Sequence, residues 1–350
     1  MNGKTRASRA AGPKDGRLVW DDRCGAPPRR LRLLARTEES SVWRVLGRLG
    51  GKRAFILKQS RDTRAVVHEL SAHAQVVGRL KLATSPVIAG GVNDHAPGGY
   101  IAFADDRLRA ARPRRVEDMA RLLAALHRTP LDGLHVPDSS RSHTPEVRRV
   151  TQFVLDIAPE ECARWLAPFV SKKEDRRALV AVLENLQRTH EPVWRETPVV
   201  LCHGDAHAAN FLSTLRGGRL RLIDWEYVHL DYPYFDLFQL LDATSPHTPL
   251  PVFASRLRAL SAYHAAAMGE TSGRNGKPSG GEGRLPSWGR FAQSYLRYAL
   301  IHLFWILSRI DDDGRFSRHS APRLNRQAHE TCRLIRSIVD DWRVVAGEPF

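Results

Sequence analysis

An island of strand signal from Pro198 to Asp224, set in a stretch that otherwise reads as helix, constrains this chain more than any other feature. It runs Val199-Val200-Leu201-Cys202-His203-Gly204-Asp205-Ala206-His207-Ala208-Ala209-Asn210 and continues through Phe211 to Leu215. It turns at Arg216-Gly217-Gly218-Arg219 and ends on Leu220-Arg221-Leu222-Ile223-Asp224. Two apolar runs around a glycine pair make a hairpin. With the turn centred between Gly217 and Gly218, residues whose numbers sum to 435 stand opposite one another, so Phe211 faces Asp224 with Asn210 beside it. An amide oxygen and a carboxylate then share one hairpin mouth, within ~5 to 8 Å of each other. Asp205 lies in the preceding loop, where Gly204 lets the backbone bend and point a side chain out.

Periodicity divides the rest of the chain. Residues 1–30 carry Gly, Pro and scattered bases without a pattern, which predicts a mobile basic arm. Residues 31–105 read as strands: Val42 to Leu46 and Ala54 to Lys58 are short apolar runs separated by Gly47, Gly50 and Gly51, and Tyr100 to Phe103 is a third. Asp62 or Thr63 caps a helix with Val66, Leu70, His73 and Val77 on one face and Glu69 at its border. Beyond residue 115 the spacing is helical, with stripes at Met119, Leu122, Leu123 and Leu126, at Val147, Val150, Val154 and Ile157, and at Leu179, Val182, Leu183 and Leu186. Residues 269–283, rich in Gly and Ser without apolar anchors, predict a flexible insertion. The expected fold class is α+β: a small antiparallel-sheet N-lobe over 31–105, a larger helical C-lobe over 106–350, and a cleft between two lobes.

Composition excludes several classes. The chain of 350 residues is 42% hydrophobic and 26% charged, a globular rather than a disordered balance. Its longest apolar run, Tyr298 to Leu307, falls short of the ~20 residues of a bilayer span and contains His302. No apolar stretch follows the first bases, so no secretory signal is expected, and a transit peptide is the lesser reading of Arg6, Ser8 and Arg9. The four cysteines lie far apart with no CxxC pair, which points to reduced thiols in a cytoplasmic setting. The net charge of +16 rests on 46 Arg and only eight Lys. A nucleic-acid surface is one reading of that charge, with Arg107, Arg109, Arg112, Arg114 and Arg115 as its densest run. A solvated surface is the simpler one, since the bases are spread along the chain without interleaved aromatics.

The island carries the chemistry. A hard cation such as Mg2+ takes one or two protein oxygens and leaves positions for phosphate oxygens and water, which suits Asn210 and Asp224. Asp205 is then free to orient a nucleophile and take its proton. Covalent nucleophilic catalysis is not suggested here. Lys58, at the end of the strand Ala54-Phe55-Ile56-Leu57, can supply the cation that reaches triphosphate oxygens, with Glu69 as the partner a buried lysine needs. The segment Thr37 to Trp43, including Ser40 and Ser41, is the expected turn above the phosphates, donating backbone N–H groups. Competing readings remain: Asp205, Asn210 and Asp224 as turn and cap residues, and His203, Asp205 and His207 as a metal-binding triplet. The glycines before Lys52 do not make a Walker loop, because the spacing differs and Arg53 stands where Ser or Thr is required.

With these residues in view, HGDAHAAN followed by LIDWE resembles the aminoglycoside phosphotransferase and choline kinase family, which has a protein-kinase-like fold. The resemblance follows element order over roughly residues 35–310 and is most specific from Leu201 to Leu241. It implies Asp205 as catalytic base, Asn210 and Asp224 as magnesium ligands, Lys58 as the ATP-phosphate lysine and Glu69 as its ion-pair partner. His203 matches the position that braces the catalytic loop, and Asp236 the acid that supports it from the next helix. Tyr100 to Ala104, with Phe103 and Ala104 at its end, resembles the hinge that binds adenine through backbone groups. Two features depart from the family pattern: a phosphate turn without glycine, and a hinge without the usual acidic and glycine residues.

The expected activity is ATP-dependent phosphorylation of a hydroxyl on a small molecule, such as an aminoglycoside, choline or a sugar. Trp225, Glu226, Tyr227, Asp231, Tyr298 and Trp305 are the expected acceptor surface. A pseudokinase scaffold and a basic nucleic-acid-binding protein are the rivals from other classes. A protein kinase is disfavoured by the short interval between Asp224 and the helix of Asp236, which leaves little platform for a peptide.

Overall fold

The computed structural model of the chain describes residues 28–37, 39–80, 82, 84–93, 97–136, 144–189, 197–214, 218–247, 255–269, 285–316, 320–348 and 350. The expected basic arm up to residue 27 and the expected insertion after Gly269 lie outside them. The chain forms two compact units. One runs to Arg109 and takes in Ser213–Glu226; the other comprises Ala110–Leu212 and Tyr227–Phe350. Much of the hairpin groups with the first unit.

Strands β1 (Arg30–Arg36), β2 (Ser40–Leu49), β3 (Lys52–Ser60), β4 (Val87–Val92) and β5 (Gly99–Ala104) make the first unit's sheet, in the order β1-β2-β3-β5-β4, with antiparallel neighbours. The β2–β3 turn needs a left-handed backbone at two successive positions, and Gly50 (φ 52°) and Gly51 (φ 75°) supply it without the Cβ clash other residues would meet. Alternation along β3 sends Phe55 and Leu57 to one face, where they bury with Val45, Tyr100 and Ala102. Lys58, next after Leu57, therefore projects from the other face, opposite Val42 on one side and Ile101 on the other.

Helix α1 (Thr63–Gln75) starts at Asp62, whose carboxylate accepts the N–H groups of Arg64 and Ala65. Such a cap contributes about 1 kcal/mol. Thr63 does not cap; its hydroxyl takes the N–H of Gly98 (2.7 Å). Glu69 does not border the buried face, as the apolar spacing suggested, but sits in it with Val66 and Ala72. A helix over a strand lysine can bury a glutamate there because the lysine meets its charge.

The second unit holds helices α2 (Val116–His127), α3 (Thr144–Leu155), α4 (Pro159–Leu166), α5 (Lys173–Arg188), α6 (Tyr234–Leu241), α7 (Arg256–Met268), α8 (Trp288–Phe316) and α9 (Ala321–Ala346). Of the predicted stripes, Met119, Leu123 and Leu126, then Val150, Val154 and Ile157, then Leu179, Leu183 and Leu186 bury, while Leu122 and Val182 are half-buried. Tyr234, Tyr263, Phe291, Tyr295 and Tyr298 form an aromatic core between α6, α7 and α8. The guanidinium of Arg256 holds the buried Asp242 through Nε and Nη2 and reaches Asp341, joining α7 to α9. No helix among the described residues is long and apolar enough to cross a membrane.

The strand island splits into three short strands. β7 (Val200–Cys202) pairs with β10 (His229–Asp231), while β8 (Phe211–Thr214) and β9 (Leu220–Leu222) join β6 (Leu108–Ala110) in the order β6-β8-β9. Thr214 N–H donates to the Arg219 carbonyl (3.0 Å), which pairs residues summing to 433 rather than 435. The register is thus shifted by two from the one the glycine pair implied. An even shift leaves each side chain on its expected face, where a shift of one would have reversed them all.

Candidate active site

In the first unit the ammonium of Lys58 is held by three carboxylates: Glu69 Oε2 at 2.8 Å, Asp224 Oδ1 at 2.5 Å and Glu226 Oε2 at 3.1 Å. Side-chain exposure falls from 32% for Asp224 to 18% for Glu226 and 2% for Glu69, so the charges are graded from solvent to interior. Burial works to strip Lys58 of its proton, but the three acids outweigh it and hold the ammonium above its ordinary range. Burial acts most on Glu69, pushing its carboxyl up to about 7 against the pull of Lys58. Its Oε1 is buried without a hydrogen-bond partner among the described residues, which fits a group that resists carrying a full charge.

Asp224 sits at the end of the hairpin with φ 70°, in the left-handed region. A non-glycine residue there costs of order 1 kcal/mol, and such strain recurs where a side chain must be aimed. Here the aim is Lys58. One turn beyond Glu69 on α1, His73 packs its ring 5.5 Å from that of Phe103. Burial, then the positive charge of Lys58, lowers its imidazole to about 4. His73 is accordingly neutral at pH 7. A histidine proton titration by NMR should show its ring signals unmoved from pH 8 to pH 5. His229 should titrate above the usual 6.5: burial opposes protonation there, but Asp231 and the Tyr227 carbonyl win. The linkage runs in opposite senses, since His73 costs stability as pH falls from 6.5 towards 4, whereas the contribution of His229 fades as pH rises through its folded value.

Ser40 and Ser41 fall in the first residues of β2, and the turn before them is closed by Thr37, whose hydroxyl takes the N–H of Ser40 at 2.9 Å. Phe103 and Ala104 end β5; Ala104 N–H donates to the Pro86 carbonyl (3.0 Å) and its carbonyl accepts from Asp106 N–H (3.1 Å). The backbone of Ala104 is thus engaged on both sides. Just past it, Asp105 is gripped by Arg44 through Nε (2.9 Å) and Nη2 (3.0 Å), and Asp106 by Arg221. The acids missing from the anticipated hinge therefore follow it directly.

In the second unit, Asn210 spends both amide hydrogens on Asp205, donating to its carbonyl at 2.8 Å and its Oδ2 at 3.0 Å. That leaves Oδ1 as the acceptor end of the amide. His207 Nε2 lies 3.5 Å from the same carboxylate oxygen. Asp205 N–H donates to His203 Nδ1 at 3.3 Å, closing the loop over the buried imidazole. Gly204 has φ 85°, and a Cβ there would stand 2.0 Å from the Tyr227 carbonyl oxygen, so no other residue fits. Beneath the loop, fully buried Asp236 accepts the N–H groups of His203 (2.7 Å) and Gly204 (2.9 Å).

The sequence model of the phosphotransferase enzyme family matches residues 30–270. The chain belongs to the phosphotransferase enzyme family. A comparison with curated proteins finds no match. Among solved structures, a GDP complex of an aminoglycoside 2'-phosphotransferase is similar at 12% identity and TM-score 0.56, covering 90% of this chain and 93% of that one. A GDP and kanamycin complex of a related enzyme is similar at 14% and 0.55, covering 91% and 95%. Ethanolamine kinase from Plasmodium vivax is similar at 14% and 0.53, covering 89% and 84%. This phosphotransferase shares their kinase-like fold, with a small antiparallel-sheet N-terminal region and a helical C-terminal region.

Within each unit the structure joins residues that lie far apart in sequence: Lys58 and Glu69 with Asp224, and Asp205 and Asn210 with the His203 loop above Asp236. Glu226, read from sequence as acceptor surface, is a third partner of Lys58. Trp225, Asp231 and Tyr298 are buried, which removes them from that surface as well. His127 and Tyr263, which no sequence motif marks, join the support of the loop through Asp236.

Proposed function

We propose that this protein transfers the terminal phosphoryl group of ATP, with Mg2+, to a hydroxyl group of a small molecule. The observation that carries the reading is the Asp205 carboxylate, fixed from one side by Asn210 and through its own backbone by the loop anchored on Asp236. A carboxylate so held, with one oxygen left to accept, suits alignment of an acceptor hydroxyl and removal of its proton as the phosphoryl group arrives.

Asp224 and Asn210 are the proposed magnesium ligands, and the donor set fits. Asp224 is the most exposed of the acids around Lys58, and Asn210 has both hydrogens committed, so its amide oxygen is the free end. Both are hard oxygen donors of the kind Mg2+ takes beside phosphate. When bound, the ion neutralises phosphate charge. Lys58 is the proposed phosphate-binding cation and Glu69 its anchor. Ser40 and Ser41 at the start of β2, and Phe103 and Ala104 at the end of β5, are the proposed flanks of the nucleotide, with adenine contacts beyond the engaged backbone of Ala104. His203 and Asp236 hold the loop.

The acceptor is proposed to be a hydroxyl-bearing amine or sugar, since the relatives include an enzyme complexed with kanamycin and an ethanolamine kinase. Two relatives were solved with GDP, so the test uses both ATP and GTP. Purified protein is screened for phosphate transfer to aminoglycosides, choline, ethanolamine and sugars, with metal omitted as control. Transfer to any of them supports the reading. Magnesium-nucleotide binding without transfer to any acceptor favours the scaffold reading instead. Asp224→Asn should weaken magnesium-nucleotide binding by at least tenfold in a calorimetric titration, and an unchanged affinity counts against its role.

A further inference from the structure

Outside the groups assigned above, one buried polar chain ends at the loop of Asp205. The hydroxyl of Tyr263, on α7, lies 2.8 Å from His127 Nδ1, at the end of α2. The other ring nitrogen, Nε2, lies 3.0 Å from Asp236 Oδ2. The same oxygen takes the N–H of His203, and Oδ1 takes that of Gly204. All three side chains are buried, Tyr263 to 1% exposure and Asp236 to zero.

Chemistry fixes the direction of the chain. Burial raises the Asp236 carboxyl, but the hydrogen bond from His127, the nearby imidazoles and the N–H of His203 more than reverse this, so it is an ionised acceptor. His127 must then carry hydrogen on Nε2, and in the neutral ring Nδ1 is an acceptor. Burial, followed by neighbouring negative groups, keeps the Tyr263 phenol protonated, so it donates. Packing alone does not account for the hydroxyl. The Tyr263 ring stacks on Phe291 at 5.6 Å with 9° between planes, and a phenylalanine would do the same without a buried polar atom to satisfy.

We infer that Tyr263 and His127 are positioning residues for the catalytic loop: Tyr263 sets the imidazole, the imidazole sets the Asp236 carboxylate, and the carboxylate pins the two peptide N–H groups immediately before Asp205. The inference rests on the proposed role of Asp205, and it ties α7 to the chemistry through hydrogen bonds.

The test uses the full chain and Tyr263→Phe, which keeps the ring and removes only the hydroxyl. Amide hydrogen exchange at His203 and Gly204 should speed up roughly 3- to 10-fold, the effect of one lost hydrogen bond, with exchange along α8 unchanged. The kcat for transfer should fall by a similar factor with nucleotide KM unmoved. His127→Gln keeps an N–H for Asp236 and should retain more protection than His127→Asn, whose amide nitrogen lies nearer the Nδ1 position. Combining Tyr263→Phe with His127→Asn should cost no more than His127→Asn alone. Unchanged exchange at both amides, or acceleration spread evenly through the second unit, overturns the inference. If wild-type protein transfers phosphate to no acceptor, the proposed function fails while the exchange pattern still decides this one.

Discussion

Asp205→Asn should lower phosphoryl transfer by ~10²- to 10⁴-fold, the range that positioned general bases contribute, while nucleotide affinity stays within about threefold of wild type. The substitution removes basicity and little else. Asparagine has the same shape and can still accept the 3.0 Å hydrogen bond from Asn210 through its amide oxygen. The second bond from Asn210 goes to the backbone carbonyl of residue 205, and the peptide N–H groups before it bind Asp236, so the loop keeps its anchors. Single-turnover transfer and calorimetric nucleotide titration on the same preparation separate the two quantities. Turnover within a few-fold of wild type would remove Asp205 from the role of base, whatever the mutant's affinity for nucleotide.

That prediction follows from a loop whose residues were legible in sequence because their chemistry is local. Gly204 had to bend the chain, and the structure gives it a φ only glycine tolerates, over a carbonyl that leaves no room for a Cβ. The helical stripes were legible for a similar reason, since burial at 3.6-residue spacing needs no knowledge of the partner surface. What could not be read depends on contacts between distant segments. Glu226 looked like a surface acid because nothing in its neighbourhood announces Lys58, 168 positions earlier. Asp231 looked like acceptor surface until pairing of β10 with β7 buried it beside His229. His127 and Tyr263 lie 136 residues apart, and only the packing of α2 against α7 brings their polar ends together. In the segment expected above the phosphates, the hydroxyl of Thr37 takes the N–H of Ser40, and Ser40 opens β2.

Lys58→Met should have the largest structural effect of any single substitution near the site, and the effect should depend on pH. The ammonium stands among three carboxylates, one of them almost wholly buried. Removing one partner of a buried ion pair typically costs about 3 to 5 kcal/mol, because the remaining charge is left without compensation. Glu69 has a way to reduce that cost, since its carboxyl is already raised to about 7 by burial and without Lys58 would rise further, taking up a proton. The loss of stability should therefore be smaller at pH 6, where Glu69 protonates readily, and larger at pH 8, where protonation itself is costly. Thermal or urea unfolding of wild type and mutant at the two pH values measures the difference. Adding Glu69→Gln to Lys58→Met removes the stranded charge and should recover much of the stability at pH 8. It should recover none of the nucleotide affinity, because phosphate binding is proposed to need the ammonium itself. A Lys58→Met protein as stable as wild type at pH 8 would contradict the burial argument. One that binds magnesium-ATP normally would contradict the assignment of Lys58 to phosphate.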